Sequence, residues 1–166
     1  MEKIEDILGD PVPFLDMIFE ELEKAGIDVS AYPLDHICYR VENQADYEYK
    51  KQMLSQMGEI LSESMIGGRP ITTFKLKTPI FYKKREIFLL ELPSPKPGSK
   101  YPEGYEHVEF VVDVPLVEFR DRYNYLSFDE KGFHKEVNSD LRLKWDEYSV
   151  KFHEHDLEYV IRFLDI

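Results

Sequence analysis

Two histidines, His36 and His107, each follow a carboxylate and open an alternating, β-forming run: Asp35-His36-Ile37-Cys38-Tyr39-Arg40-Val41 and Glu106-His107-Val108-Glu109-Phe110-Val111-Val112. An acid–imidazole pair repeated at the start of two similar strands can bring two nitrogen donors to one point if the two units pair. Converging imidazoles are the usual beginning of a metal site. A third candidate is Glu91, which interrupts the apolar run Ile87-Phe88-Leu89-Leu90-Glu91-Leu92. A buried carboxylate without a partner is costly or becomes protonated, so Glu91 calls for a cation. The corresponding stretch of the second half is Lys151-Phe152-His153, where Lys151 and His153 share a face opposite Phe152, which makes His153 a possible fourth donor. Two imidazoles and a carboxylate leave positions open to water or substrate, as a catalytic divalent ion requires.

Strand residues alternate faces, so these assignments follow from residue parity. Ile37, Tyr39 and Val41 share one face of their run and His36, Cys38 and Arg40 the other. Val108, Phe110 and Val112 likewise oppose His107 and Glu109. The more apolar row should pack on a helix, leaving the histidine row for a ligand. Blander roles stand beside each of these. A strand histidine can simply be hydrogen-bonded structure, and Glu91 can pair with Arg85 or Arg69. Arg69, between Gly67-Gly68 and Pro70, is either a guanidinium that clamps a substrate carboxylate or an exposed turn arginine. Cys38 is either a thiol near the site or a small buried hydrophobe. Glu109 and Lys151 are candidate bases to move a proton. His134 and His155 read as surface or loop residues.

The elements that position these residues can be traced along the chain. Pro11 and Pro13 precede Phe14, Leu15, Ile18, Phe19 and Leu22 at helical spacing, and Gly26 stops the run, giving an N-terminal helix within 10–30. A first module, 33–93, holds a strand at 34–41, a helix at 44–57 closed by Gly58, and strands at 59–66, 70–78 and 86–92. Gly67-Gly68 and the basic tip Lys83-Lys84-Arg85 supply the turns. The linker 94–104, entered at Pro93, is broken by Pro95, Pro97, Gly98, Pro102 and Gly104. The second module, 105–153, repeats the order: a strand at 106–113, a helix opening at Pro115 with Val117, Phe119 and Tyr123, and strands near 134–138, 141–146 and 148–153. A tail helix, 154–166, begins at Asp156 and aligns Leu157, Val160, Ile161 and Leu164. The expectation is a single α+β domain of two βαβββ modules flanked by helices.

Composition narrows the partners. The 166 residues carry 33 acidic and 21 basic side chains, a net charge of −12 that repels phosphate backbones and anionic lipid. Neither nucleic acid nor a membrane is expected as a partner. Hydrophobic residues make up 43 %, including 11 Phe and 11 Tyr, enough to build a core rather than a disordered chain. One cysteine allows no intrachain disulfide, and the N-terminal residues lack the pattern of a secretory signal, so a cytoplasmic location is expected.

The paired βαβββ layout resembles the vicinal-oxygen-chelate superfamily, which includes glyoxalase I, methylmalonyl-CoA epimerase, extradiol dioxygenases and bleomycin-resistance proteins. Several segments resemble its YecM family more narrowly. They are Asp35-His36-Ile37, Leu61-Ser62-Glu63-Ser64-Met65-Ile66 with Gly68-Arg69-Pro70-Ile71, Phe74-Lys75-Leu76, Glu91-Leu92-Pro93, Tyr101-Pro102, Glu106-His107-Val108-Glu109 and Lys151-Phe152-His153. The resemblance implies a cupped mixed sheet, with a metal held between the modules by ligands from the first and fourth strand of each. That assigns ligand roles to His36, Glu91 and His107. The superfamily commonly has Glu at the fourth position, where this chain has Lys151 or His153. The resemblance implies a divalent cofactor, with zinc, manganese, iron and nickel all compatible, and a small-molecule substrate chelated through adjacent oxygens. The expected function is a metal-dependent enzyme of isomerase, epimerase, lyase or oxygenase type. The alternative is a non-catalytic module of the same fold that binds or sequesters a small molecule.

Overall fold

The computed structural model describes residues 2–98, 100 and 102–164. Met1, Ser99 of the linker, Tyr101 of the Tyr101-Pro102 motif and the last two residues of the tail helix lie outside the described residues. The fold is α+β, with seven strands in one mixed sheet and five helices among the described residues. None of these helices is long and apolar enough to cross a membrane. The chain divides into two compact units, Met1–Pro13 with His36–Glu106 and Phe14–Asp35 with His107–Ile166. The chain thus passes from one unit to the other immediately before each of the two repeated histidines.

The first unit contains one module apart from the first two residues of its opening strand. β1 (Leu34–Arg40), which enters the unit at His36, leads into α3 (Gln44–Ser55). The antiparallel strands β2 (Gly58–Ile66), β3 (Arg69–Tyr82) and β4 (Arg85–Pro93) follow, with β4 returning parallel to β1. The helix α3 starts where Asn43 accepts a hydrogen bond from the Asp46 N–H at 2.9 Å, a side-chain cap that satisfies one of the orphan donors. It buries Tyr47 and Leu54, and the Tyr47 hydroxyl meets Thr72 Oγ1 of β3 at 2.7 Å. Gly67 and Gly68, at φ 62° and 82°, make the β2–β3 turn that a side chain with a Cβ would strain. A short helix unannounced by hydrophobic spacing, α1 (Ile4–Leu8), precedes these elements and buries only Leu8.

Tyr39 and Tyr105 pack edge to face at 5.1 Å between ring centroids. Tyr39 donates to Glu103 at 3.1 Å, and Tyr105 donates to the Gly9 carbonyl at 2.8 Å. Burial pushes both phenols well above their usual range, and for Tyr39 the adjacent Glu103 charge acts in the same direction. Both tyrosines are therefore neutral donors that close the side of the unit.

The second unit is built from the greater part of α2 (Val12–Lys24), β5 (Gly104–Val111) from His107 onward, α4 (Leu116–Arg122), β6 (Leu141–Lys144), β7 (Ser149–His153) and α5 (Leu157–Phe163). β5 and β7 are parallel and β6 is antiparallel to β7. The anticipated apolar row forms its core. Phe110 and Phe152 stack at 6.0 Å, Phe119 of α4 lies 4.6 Å from Phe152, and Phe19 of α2 meets Phe110 edge to face at 5.9 Å. α5 begins at Asp156, whose side chain accepts from the Tyr159 N–H at 2.8 Å. Asp35 accepts the Leu157 N–H at 3.0 Å, so the acid before His36 anchors this helix.

Two expectations fail locally. Residues 134–138 form turns rather than a strand. Asn138 takes a left-handed conformation at φ 55°, and the Asp140 N–H returns to the Gly132 carbonyl, so the segment folds on itself. Only an isolated bridge, Asp129 to Arg142, lies beside β6 in its place, and the second repeat is one strand shorter than the first. Gly58 does not close α3 but opens β2. A Cβ there would stand 2.2 Å from the Lys75 carbonyl oxygen and 2.9 Å from Leu76 Cα, both backbone atoms of the paired strand. Gly58→Ala should therefore force β2 from β3 and cost about 1–3 kcal/mol, measured as a lower urea midpoint with little change in slope.

Candidate metal centre

Strand register decides which side chains share a face. In the first unit His36 lies beside Leu89 and Cys38 beside Glu91 across the parallel β1–β4 pair, so His36, Cys38 and Glu91 line one face. His36 is 2 % exposed, and its Nε2 stands 3.1 Å from Glu91 Oε1. Glu91 Oε1 is thus met by the His36 imidazole. Arg69 instead donates through Nη1 to the Ser94 carbonyl at 3.0 Å, at the β2–β3 turn. Glu106, the acid before His107, pairs with Arg40 at 3.3 Å. Cys38 is a buried thiol.

The second unit has the same face but different chemistry. His107 lies beside Ser149, Glu109 beside Lys151, and Val111 beside His153 across the parallel β5–β7 pair. His107 Nε2 stands 2.9 Å from Glu109 Oε2, and His153 Nε2 meets the other oxygen, Glu109 Oε1. His153 Nδ1 bonds to the Ser139 carbonyl at 3.0 Å, which orients the ring with Nε2 toward Glu109. Glu109 is 4 % exposed and is bracketed by two imidazoles. Lys151, half-buried, lies next to Glu109 in register and opposite Arg142 of β6.

Superposing the two repeats by register shows how the donors are distributed. The residue two after the strand-one histidine is Cys38 in the first unit and Glu109 in the second. Their register neighbours on the last strand of each repeat are Glu91 and Lys151. Each unit therefore carries one carboxylate against one strand-one imidazole, on β4 in the first and on β5 in the second. The sequence pattern offered His36, Glu91 and His107 as donors, with His153 as a possible fourth and Glu109 as a base or a weaker substitute, and in the structure Glu109 is the carboxylate beside His107. The signal was present: Glu109 follows His107 by two and so shares its face. His134 and His155 are exposed, as anticipated.

These features define a vicinal-oxygen-chelate fold with an acid–imidazole pair in each unit. The chain belongs to the YecM family: the family profile described as YecM protein matches residues 3–144. It is 31 % identical to Protein YecM of Escherichia coli (strain K12), covering 97 % of this chain and 94 % of that one. A solved structure described as Structural Genomics, Protein EC4020 has a TM-score of 0.79 at 25 % identity, over 97 % of this chain and 96 % of that one. A variant of Streptomyces coelicolor methylmalonyl-CoA epimerase, in complex with 2-nitronate-propionyl-CoA, superposes with a TM-score of 0.50 at 15 % identity, over 73 % of this chain and 95 % of that one. That similarity is one of fold.

The bracketing of Glu109 sets the cost of disrupting it. His153→Ala leaves a buried carboxylate oxygen and the Ser139 carbonyl without their imidazole partner, and should destabilise the protein by about 2–4 kcal/mol in urea unfolding. The exposed control His134→Ala should change stability by no more than about 0.5 kcal/mol.

Proposed function

We propose that the chain is a divalent-metal protein and a metal-dependent enzyme of isomerase, epimerase, lyase or oxygenase type, acting on a small molecule chelated through adjacent oxygens. The ligands in this reading are His36 and Glu91 from the first unit and His107 and Glu109 from the second. One observation carries it: each unit buries an imidazole in contact with a carboxylate at matching positions of the repeat, at 3.1 Å and 2.9 Å. Each pair supplies one nitrogen and one oxygen donor. Two nitrogen and two oxygen donors suit a first-row divalent ion and leave coordination positions for a substrate.

Glu109 here takes a ligand role rather than that of a free base, and His153 supports it from behind. Orienting partners of this kind commonly matter tenfold or more for metal affinity. Lys151, beside Glu109 in register, is assigned to meet negative charge developing on the substrate or to move a proton. Arg69, steadied by the Ser94 carbonyl, is the guanidinium assigned to a substrate carboxylate. When bound, the ion would supply Lewis-acid stabilisation of an enolate or oxyanion.

Untagged protein purified without chelators should contain about one equivalent of a first-row divalent metal by elemental analysis. His36→Ala and Glu109→Gln should each remove most of it, and His153→Ala should weaken binding by about 10–100-fold. Metal-free protein whose weak affinity for added manganese or zinc is the same in wild type and in these variants would refute the assignment. Ligand-induced stabilisation that persisted in EDTA would instead favour a sequestering module.

A further inference from the structure

The face of the second unit that carries His107, Glu109 and His153 continues past Lys151 into a cavity of about 200 Å³. Five cations line it: Lys131, Lys135, Arg142, Lys144 and Lys151. The acids in its wall are Asp129 and Asp140, so cations outnumber carboxylates by three in a chain whose net charge is −12. Like charges repel, and gathering five of them at one hollow of a strongly acidic protein has a cost that a bound anion would offset.

The cavity is built rather than incidental. Asp140 is 3 % exposed and pairs with Lys135 at 3.2 Å, holding that ammonium at the wall. Its carboxylate fits only because residue 132 is glycine: a Cβ there would stand 2.0 Å from Asp140 Oδ2. Arg142 donates through Nε to Ser149 Oγ at 2.9 Å, which fixes the plane of the guanidinium. Asp129 pairs with Lys144 at 3.5 Å, and the Lys131 N–H bonded to its carboxylate holds its pKa below the usual range, so it stays ionised. Both wall acids thus serve to position lysines.

We propose that this cavity is a binding subsite for a phosphate group. Its volume lies below that of a pocket enclosing a whole drug-sized ligand and suits a single charged head. Its positive excess matches a phosphate near two negative charges better than a single carboxylate. The fixed guanidinium and flexible ammonium groups are the donors that recognise phosphate oxygens. Lys151 lies beside Glu109 and Arg142 beside Lys151 in register, so a substrate held here by its phosphate presents the rest of its structure to the acid–imidazole face. This last step, which makes the substrate a phosphate ester, rests on the metal-centre reading; the phosphate subsite itself does not.

The test is calorimetric titration of the full chain with inorganic phosphate in low-salt buffer containing EDTA, with malonate as the carboxylate probe. Saturable phosphate binding is expected, retained in His36→Ala and weakened at least tenfold in the double variant Lys131→Gln/Lys144→Gln. Both substituted lysines are exposed, and a urea midpoint close to wild type should confirm that the variant is folded. Lys83→Gln, at the β3–β4 turn of the first unit and outside the lining of this cavity, should bind as wild type does. Absence of phosphate binding in this buffer, equal binding by the double variant, or saturation by malonate alone would each overturn the subsite. None of these outcomes bears on metal content, so the two readings fail separately.

Discussion

A carboxylate taken out of water must bring a compensating partner with it, and this requirement organises the histidine-bearing face of both units. Glu91 on β4 and Glu109 on β5 lie in strands whose neighbouring residues are almost all buried. Desolvating an ionised carboxylate opposes folding by several kcal/mol even after relaxation, unless cations or donors meet its oxygens. In each unit an imidazole does so. Histidine is the one neutral-to-cationic side chain that can serve as a hydrogen-bond partner to the acid without an ion and, when deprotonated, as a nitrogen donor with one. The same pair can therefore be accommodated in the folded chain and be chemically useful, whereas a buried Lys–Glu pair would offer only stability.

The opposite face makes that arrangement affordable. In the second unit Phe19, Phe110, Phe119 and Phe152 fill the helix-packed side. Fully burying one such side chain is worth about 1.5–3 kcal/mol, so a few of them outweigh one imperfectly compensated polar contact. Alternation lets the two faces be chosen independently: even a strand as closely enclosed as β1 can carry His36 and Cys38 on one side and Ile37 and Tyr39 on the other.

This separation of faces explains what the sequence made legible. Parity alone paired His36 with Cys38 and His107 with Glu109, and opposed both pairs to apolar rows, because a period of two survives any uncertainty about where a strand ends. The helices α2, α3, α4 and α5 were equally visible, from spacing and from caps such as Asn43 and Asp156. What parity cannot give is register between strands, and register decides that Glu91 faces Cys38 while Lys151 faces Glu109. The acid had changed strands between the repeats, so matching like position to like position along the sequence found Lys151 or His153 where a carboxylate was sought. Gly58 was misplaced for a related reason: the contact that excludes a side chain there comes from Lys75 and Leu76, residues that no local window includes. The segment 134–138 misled because its composition admits a strand, and only the burial of Asp140 against Gly132 selects turns.

The shortened second repeat has a chemical consequence. In the first unit β2 and β3 extend the sheet beyond β4 as a long hairpin. In the second, the chain after α4 contributes a single bridge at Asp129 before it reaches β6. A full strand at that edge would set a row of backbone groups and alternating side chains over the outer face of Arg142 and Lys144. Turns instead leave room for the hollow in which Lys131 and Lys135 approach Arg142, Lys144 and Lys151. The missing strand thus leaves a cationic concavity where the first repeat has a sheet edge, and Lys151, the register neighbour of Glu109, lies in its wall.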